Sequence, residues 1–366
     1  MKRVLFLTNY ASPYRVHFFD ELGKYLDVTV LYSDRLEEIR HRDADWFEEG
    51  SGGFHPVQLK KTAGFREENL CLDVLDWLRK SFDDIVICGY SSPTAILAMV
   101  YLRMRKIPFC MEVDGGLVRR ENGLKYAVKR NLVGMAHQWL STGNYTTDYL
   151  VHYGAARERV VCYPFSSLYE RDILPYVVPK GEKTALRRTL DIPEKHMVLA
   201  IGQFIYRKGF DVLLHAASFL PPDTGIYIVG GEATEEYVQL RQRLELGNVH
   251  FLGFQKKERL AQFYQAADVF VLPTREDIWG LVINEAMAYG LPVVTTDKCV
   301  AGLELVENGV NGYIIPTDDA DALAEKIRLV LQADTEKMGE ASLEKIRPYT
   351  LENMAKAHVE FFESGR

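Results

Sequence analysis

Short apolar runs rich in β-branched residues recur along this chain, each followed by a segment of helical period. The series breaks once near the middle and then starts again. In the first half the runs are Val4–Thr8, Val28–Tyr32, Pro56–Leu59, Ile85–Cys88, Phe109–Val113, Trp139–Thr142 and Val160–Tyr163. Between them lie Tyr14–Leu26, where Phe18, Phe19, Leu22, Tyr25 and Leu26 share one helical face, and the similar segments Leu70–Phe82 and Thr94–Arg105. Strands of this composition alternating with helices require a parallel sheet covered on both faces. Residues 172 to 196 lose the pattern and carry Pro175, Pro179, Gly181 and Pro193, which reads as a connector. From Met197 the alternation resumes: MVLAIG, GIYIVGG, VHFLGF, DVFVL and GYIIP, with helical segments between. The expected fold is therefore α/β, two doubly wound domains facing a cleft. The expected boundaries are 1–172, a linker at 173–195, a second domain at 196–347 and a terminal helix at 348–366. Ligands of such sheets lie beyond the carboxyl ends of the strands.

A chain of 366 residues accommodates two ordinary cores. A net charge of -7 argues against general nucleic-acid binding. The five cysteines, Cys71, Cys88, Cys110, Cys162 and Cys299, form no Cys-x-x-Cys pair or Cys/His cluster, so neither a zinc site nor a disulfide framework is expected. The apolar run after Lys2 and Arg3 is too short for a signal peptide and reads as a first strand. No stretch has the roughly 18 consecutive apolar residues of a spanning helix. A cytoplasmic setting is the expectation.

The loops after the strands carry the candidate chemistry. Gly202-Gln203-Phe204-Ile205-Tyr206-Arg207-Lys208-Gly209 follows MVLAI and precedes a helix. Two adjacent cations at such a turn suit a diphosphate, Arg as a planar fork and Lys as a point charge. After DVFVL, the loop Thr274–Gly280 leads into the helix LVINEAMAYG, whose first N–H groups and dipole favour an anion. Glu285 in that helix either accepts hydroxyls of a polyhydroxy ligand or complements its own helix dipole. In the first half, Glu112-Val113-Asp114-Gly115-Gly116 ends a strand, and Asn9–Arg15, including Tyr14 and Arg15, follows strand one. Asp114 reads either as a residue that orients an acceptor hydroxyl or acts as a base, or as a turn-forming Asp-Gly.

The segment EAMAYGLPVV, Glu285–Val294, resembles the signature of the family-4 retaining glycosyltransferases ("glycosyl transferases group 1"), which have two Rossmann-like domains, the GT-B fold. That signature places a first Glu eight residues before the second. Here Asp277 stands at that position and Glu276 one residue earlier, so either fills the role. The resemblance implies a retaining, metal-independent glycosyltransferase that takes a hexose from a nucleotide diphosphate sugar such as a UDP-sugar. The implied acceptor is a saccharide or lipid-linked saccharide of cell-surface polysaccharide or glycolipid synthesis. It implies that the terminal helix at 348–366 crosses back to the first domain, and it implies no cofactor beyond the nucleotide-sugar cosubstrate. It also implies that Arg207 and Lys208 hold the diphosphate, Glu285 the ribose, and Asp277 or Glu276 the sugar. Gly202, Gln203, the backbone after Phe254, and the backbone N–H groups of Ile278, Trp279, Gly280 and Leu281 would contact the donor. The chain departs from the family at Gln203, where an Arg is usual, and near Asp114, where a His is usual. Tyr14, Arg15, Glu112 and Asp114 are the acceptor-side candidates. A nucleotide-sugar epimerase of the same fold and a non-catalytic sugar-nucleotide binder are the alternative readings.

Two further sequence features bear on function. Asp43-Ala44-Asp45 and Asp319-Ala320-Asp321 have the Asp-x-Asp form that holds a divalent cation, but the second falls where an N-cap and first-turn acids belong. Between Tyr101 and Arg130 lie Arg103, Arg105, Lys106, Arg119, Arg120, Lys125, Lys129 and Arg130. This basic stretch suits peripheral contact with an anionic membrane at the inner face of the cell membrane, or else marks ordinary charged helix faces.

Overall fold

The computed structural model describes residues 1–34, 52–65 and 68–364. Asp43-Ala44-Asp45 lies outside the described residues. The chain forms two compact units, Met1–Tyr169 with Tyr349–Arg366, and Glu170–Pro348.

Strands of the first unit are β1 (Arg3–Thr8), β2 (Asp27–Tyr32), β3 (His55–Gln58), β4 (Ala63–Phe65), β5 (Glu68–Leu70), β6 (Asp84–Cys88), β7 (Cys110–Val113), β8 (Gln138–Ser141) and β9 (Val160–Cys162). Its helices are α1 (Pro13–Leu22), α2 (Val74–Leu78), α3 (Pro93–Met104), α4 (Gly123–Val133) and α5 (Asn144–His152). Among the described residues, seven strands make one parallel sheet in the order β3-β2-β1-β6-β7-β8-β9, and β4 and β5 form a separate antiparallel pair. Pro13 and Pro93 each open a helix, where a missing N–H is no loss. Phe18, Phe19, Leu22 and Leu26 are buried as their spacing predicts. Tyr25 is exposed instead, because α1 ends at Leu22 and releases it from that face. The segment Leu70–Phe82 is helical only over Val74–Leu78, since Leu70 closes the β4–β5 pair.

The second unit runs α6 (Lys180–Thr189), β10 (His196–Ile201), α7 (Phe210–Ala217), β11 (Thr224–Val229), α8 (Glu235–Arg243), β12 (Val249–Leu252), α9 (Lys257–Ala266) and β13 (Val269–Leu272). It continues with α10 (Leu281–Ala288), β14 (Val293–Thr296), α11 (Val300–Leu305), β15 (Gly312–Ile315), α12 (Ala320–Gln332) and α13 (Thr335–Ile346). Its six-stranded sheet has the order β12-β11-β10-β13-β14-β15, parallel throughout. The last helix, α14 (Leu351–Glu363), belongs to the first unit, where Phe362 packs edge-on against Phe6 and His358 against Phe18.

The expected linker at 173–195 is not a bare connector, because it contains α6 and lies inside the second unit. Lys183 donates to the Ala267 carbonyl (2.7 Å), Arg187 to the Ala266 carbonyl (2.9 Å) and to Asp268 (2.6 Å). The helix is thus held by long cationic side chains that bury their stems and saturate the carbonyl end of α9. Hydrophobic periodicity does not reveal an anchor of this kind. Burial lowers the Lys183 pKa to about 8, against the opposing charge of Asp268.

Candidate functional site

In the second sheet the strand order reverses between β10 and β13, the place where open α/β sheets leave a crevice at their carboxyl edge. The two loops that border it are the ones the sequence singled out. After β10 a single turn of 3₁₀ helix, Tyr206–Lys208, presents both cations. Gly209 follows with φ +68° and lies so close to the end of β13 that a Cβ there would stand 2.1 Å from the Pro273 oxygen. Only glycine lets the cationic turn sit against the second loop in this way.

Asp277 lies at the centre. Lys208 Nζ donates to its Oδ2 at 2.6 Å, Arg207 Nη1 stands 3.3 Å from its Oδ1, and its own N–H donates to the Lys298 carbonyl. The Asp277 and Lys208 side chains are largely buried, whereas the Arg207 side chain is 44% exposed. Of the two acids left open by the sequence, Asp277 places its carboxylate against both cations. Glu276 offers its backbone carbonyl, which accepts from Arg207 at 2.8 Å. Thr274 Oγ1, buried, lies within bonding distance of both the Arg207 and Glu276 carbonyls (2.8 and 3.0 Å), fastening one loop to the other.

Gly280 caps α10 with φ +101°, and a Cβ there would approach Cys299 Sγ to 2.8 Å. Trp279, expected at the donor, turns its side chain inward: it is 3% exposed and donates from Nε1 to Asn284 (2.9 Å). Its ring supports the loop; the neighbouring Ile278 is exposed and Leu281 half-buried. Gly202 donates its N–H to the Val229 carbonyl, and the Gln203 carbonyl accepts from Ile205, so both shape the turn through backbone. Phe254 follows β12, two strands from β10, and takes part in none of these contacts.

Glu285 is half-buried in the second turn of α10, where Tyr264 Oη donates to its Oε2 at 2.8 Å. The Tyr264 ring stacks on Tyr289 at 4.9 Å. Burial raises the Glu285 pKa, with Tyr264 and Lys257 opposing it. A carboxylate held at a cost in a mostly apolar helix is a candidate binding group. The structure also brings in Arg275, which sequence reading passed over. Its guanidinium spans Asp211 (2.8 and 2.6 Å), Asp318 (2.6 Å) and the Tyr206 carbonyl (2.7 Å). Asp319 accepts from the Ala322 N–H as N-cap of α12, the role its position predicted.

In the first unit the reversal falls between β1 and β6. Arg15, 4% exposed, donates to Asp114 at 2.5 Å and lies 3.7 Å from the fully buried Glu112. Glu112 also accepts from Tyr163 Oη (2.7 Å) and the Cys88 thiol (3.2 Å), and His358 of α14 stands 3.8 Å away. Burial alone would raise its carboxyl; Arg15, His358 and Tyr163 outweigh it and hold the pKa at about 2. Burial and the neighbouring Glu112 push Asp114 the other way, above its usual value, with Arg15 opposing. Tyr14 Oη is 3.4 Å from Asp114, whose side chain keeps 26% exposure. The four acceptor-side candidates therefore form one charged group rather than separate contacts, and Asp114 is more than a turn residue. Tyr163 and His358 were missed because they join it from 51 residues away and from the last helix.

Residues 182–345, within the second unit, match the family model of glycosyl transferases group 1. One relative is an N,N'-diacetylbacillosaminyl-diphospho-undecaprenol alpha-1,3-N-acetylgalactosaminyltransferase of Campylobacter jejuni, 25% identical, covering 54% of this chain and 52% of its own. Another is a D-inositol 3-phosphate glycosyltransferase of Mycolicibacterium gilvum, 34% identical, covering 45% of this chain and 38% of its own. The chain thus spans about half or less of the relatives it matches. Among solved structures, sucrose-phosphate synthase of Thermosynechococcus elongatus superimposes with a TM-score of 0.77 at 21% identity, covering 100% of this chain and 99% of that one. The Anabaena HepE protein in complex with UDP gives 0.75 at 19% identity and full coverage of both. Residues 182–345 are similar in sequence to the glycosyl transferases group 1, and the two parallel-sheet, Rossmann-like units match solved GT-B glycosyltransferases in fold.

Proposed function

We propose that this chain is a retaining glycosyltransferase that moves a hexose from a nucleotide diphosphate sugar, a UDP-sugar, to a saccharide or lipid-linked saccharide acceptor. The observation that carries the reading is the Arg207–Lys208 turn meeting Asp277 at the carboxyl edge between β10 and β13. Lys208 and Arg207 stabilise the charge that develops on the leaving diphosphate, which lets the step proceed without a metal ion. Asp277 fixes the direction of both cations and offers its remaining acceptor capacity to the donor sugar. Glu285, with Tyr264 setting its rotamer, accepts the ribose hydroxyls. Retention follows from attack on the face the leaving group departs from. The acceptor oxygen bonds to the anomeric carbon, the carbon–phosphate oxygen bond breaks with its electron pair going to the diphosphate, and the acceptor proton passes to that oxygen. In the first unit the Arg15–Asp114 pair, with Tyr14 and Glu112 behind it, orients the acceptor.

One relative's name, built on a diphospho-undecaprenol-linked saccharide, supports a lipid-linked acceptor. No described helix is long and apolar enough to cross a membrane. Helix α4 instead buries only Val133 and exposes Leu124 (78%) and Val128 (51%) among its lysines and arginines, which suits peripheral contact with anionic lipid. Sedimentation with vesicles of anionic and of neutral lipid tests this; equal recovery in both removes it.

The donor reading is tested by thermal shift with UDP, ADP and GDP, followed by incubation with the matching nucleotide sugars. One diphosphate should raise the midpoint, and its sugar should release free nucleotide slowly. No stabilisation by any of the three would refute the site.

A further inference from the structure

Arg275 stands two residues before Asp277 and uses its guanidinium on protein alone. Nη1 and Nη2 take the two oxygens of Asp211 (2.8 and 2.6 Å), Nη1 also donates to the Tyr206 carbonyl (2.7 Å), and Nε donates to Asp318 (2.6 Å). The Tyr206 ring lies 4.0 Å from the guanidinium, covering one of its faces. The Arg275 side chain is 13% exposed. Its backbone N–H donates to the Arg207 carbonyl at 2.8 Å. Two carboxylates, a carbonyl and an aromatic face leave this cation little capacity for a phosphate.

The groups it joins come from three segments. Tyr206 and Arg207 belong to the cationic turn after β10. Asp211 lies in the first turn of α7, two residues past Gly209. Asp318 lies between β15 and α12 and holds φ +64°, a left-handed conformation that costs a non-glycine residue free energy unless its surroundings enforce it. A bidentate contact fixes direction as well as distance, which a lysine ammonium at the same place cannot do. The anchored carbonyls of Tyr206 and Arg207 immediately precede the two side chains that reach Asp277.

We propose that Arg275 is the positioning residue of the donor site: it sets the aim of Arg207 and Lys208 without touching the donor. The inference rests on the donor-site reading above and goes beyond it by assigning the β-phosphate affinity to a clamp outside the ligand contacts.

The test compares the full chain with R275K, R275Q and D318A, measuring calorimetric affinities for three pairs of probes: UDP and UMP, ADP and AMP, GDP and GMP. For the base that wild type accepts, R275K and R275Q should lose diphosphate affinity about tenfold, an ordinary size for residues coupled through one network. Monophosphate affinity should change by less than about twofold. D318A, which removes one anchor only, should fall in the same direction by less and serves if the arginine variants fold poorly. A lowered thermal midpoint with an unchanged diphosphate-to-monophosphate ratio would show Arg275 to be a structural tie and overturn the proposal. Failure of wild type to bind any of the diphosphates strikes the donor-site reading itself, and the clamp with it.

Discussion

At Glu285 stability and the proposed ribose contact oppose each other. Burial raises its pKa, so above the unfolded-state value of 4.5 the ionised carboxylate weakens the fold, and the penalty is relieved as pH falls. Glu285→Gln keeps an acceptor for Tyr264 and removes the charge. It should raise the thermal midpoint at pH 7 by a few degrees while abolishing nucleotide binding. A variant that is stabler and still binds would show that the carboxylate has no ligand. Glu112 has the opposite sign. Its folded pKa near 2 against 4.5 unfolded contributes about 3 kcal/mol, present above pH 4.5 and lost as pH falls toward 2. The raised Asp114 offsets part of this. Urea midpoints should place Glu112→Gln well below wild type at pH 7, with the gap closing between pH 4.5 and 2; a gap that ignores pH would contradict the assignment. Lys208 was legible from sequence because it sits in a loop whose type follows from the strand before it, whereas Asp277 came only from the family resemblance and shared its role with Glu276. Arg275 was not legible, since Asp211 and Asp318 lie 64 and 43 residues away and nothing local announces the contact.

Among the elements, those whose apolar residues face a sheet could be read directly. The strands β1, β2, β6 to β8, β10, β11 and β13 to β15 follow their apolar runs closely. Helix α6 could not, because its anchors are Lys183 and Arg187, residues that periodicity counts as exposed. Helix α4 is the reverse case, with apolar side chains where solvent should be. The basic stretch around it is partly self-neutralised: Lys129 donates to Glu121 at 2.7 Å, and Lys125 lies 3.4 Å from the same carboxylate. Leu124 and Val128 therefore matter alongside charge. Leu124→Asp with Val128→Asp should lose about 2 kcal/mol or more of affinity for anionic vesicles, from apolar burial and added repulsion together. Thermal stability should hold, both residues being exposed. Undiminished vesicle binding would place the contact elsewhere.

For the molecule as a whole, the sequence supports two doubly wound units, and both sheets show the strand reversal that organises a site at the carboxyl edge. The start of the second unit at Glu170 departs from the expected linker, whereas the terminal helix lies with the first unit, as the family resemblance implies. Leu351, Met354, His358 and Phe362 of α14 are all at most 2% exposed. Deleting residues 349–366 should strip hydrogen-exchange protection from β1 and β2 and leave β10 and β11 protected. Equal protection throughout would show α14 to be dispensable. The central claim is that a diphosphate is held by the cationic turn beside Asp277. Calorimetric titration of UDP, ADP and GDP into wild type and Lys208→Ala tests it most directly. The account predicts that one diphosphate binds wild type and loses about a hundredfold in affinity to Lys208→Ala, the size expected for a hydrogen bond to a charged group plus its Coulomb attraction. Equal affinity of the two proteins for that diphosphate would contradict it.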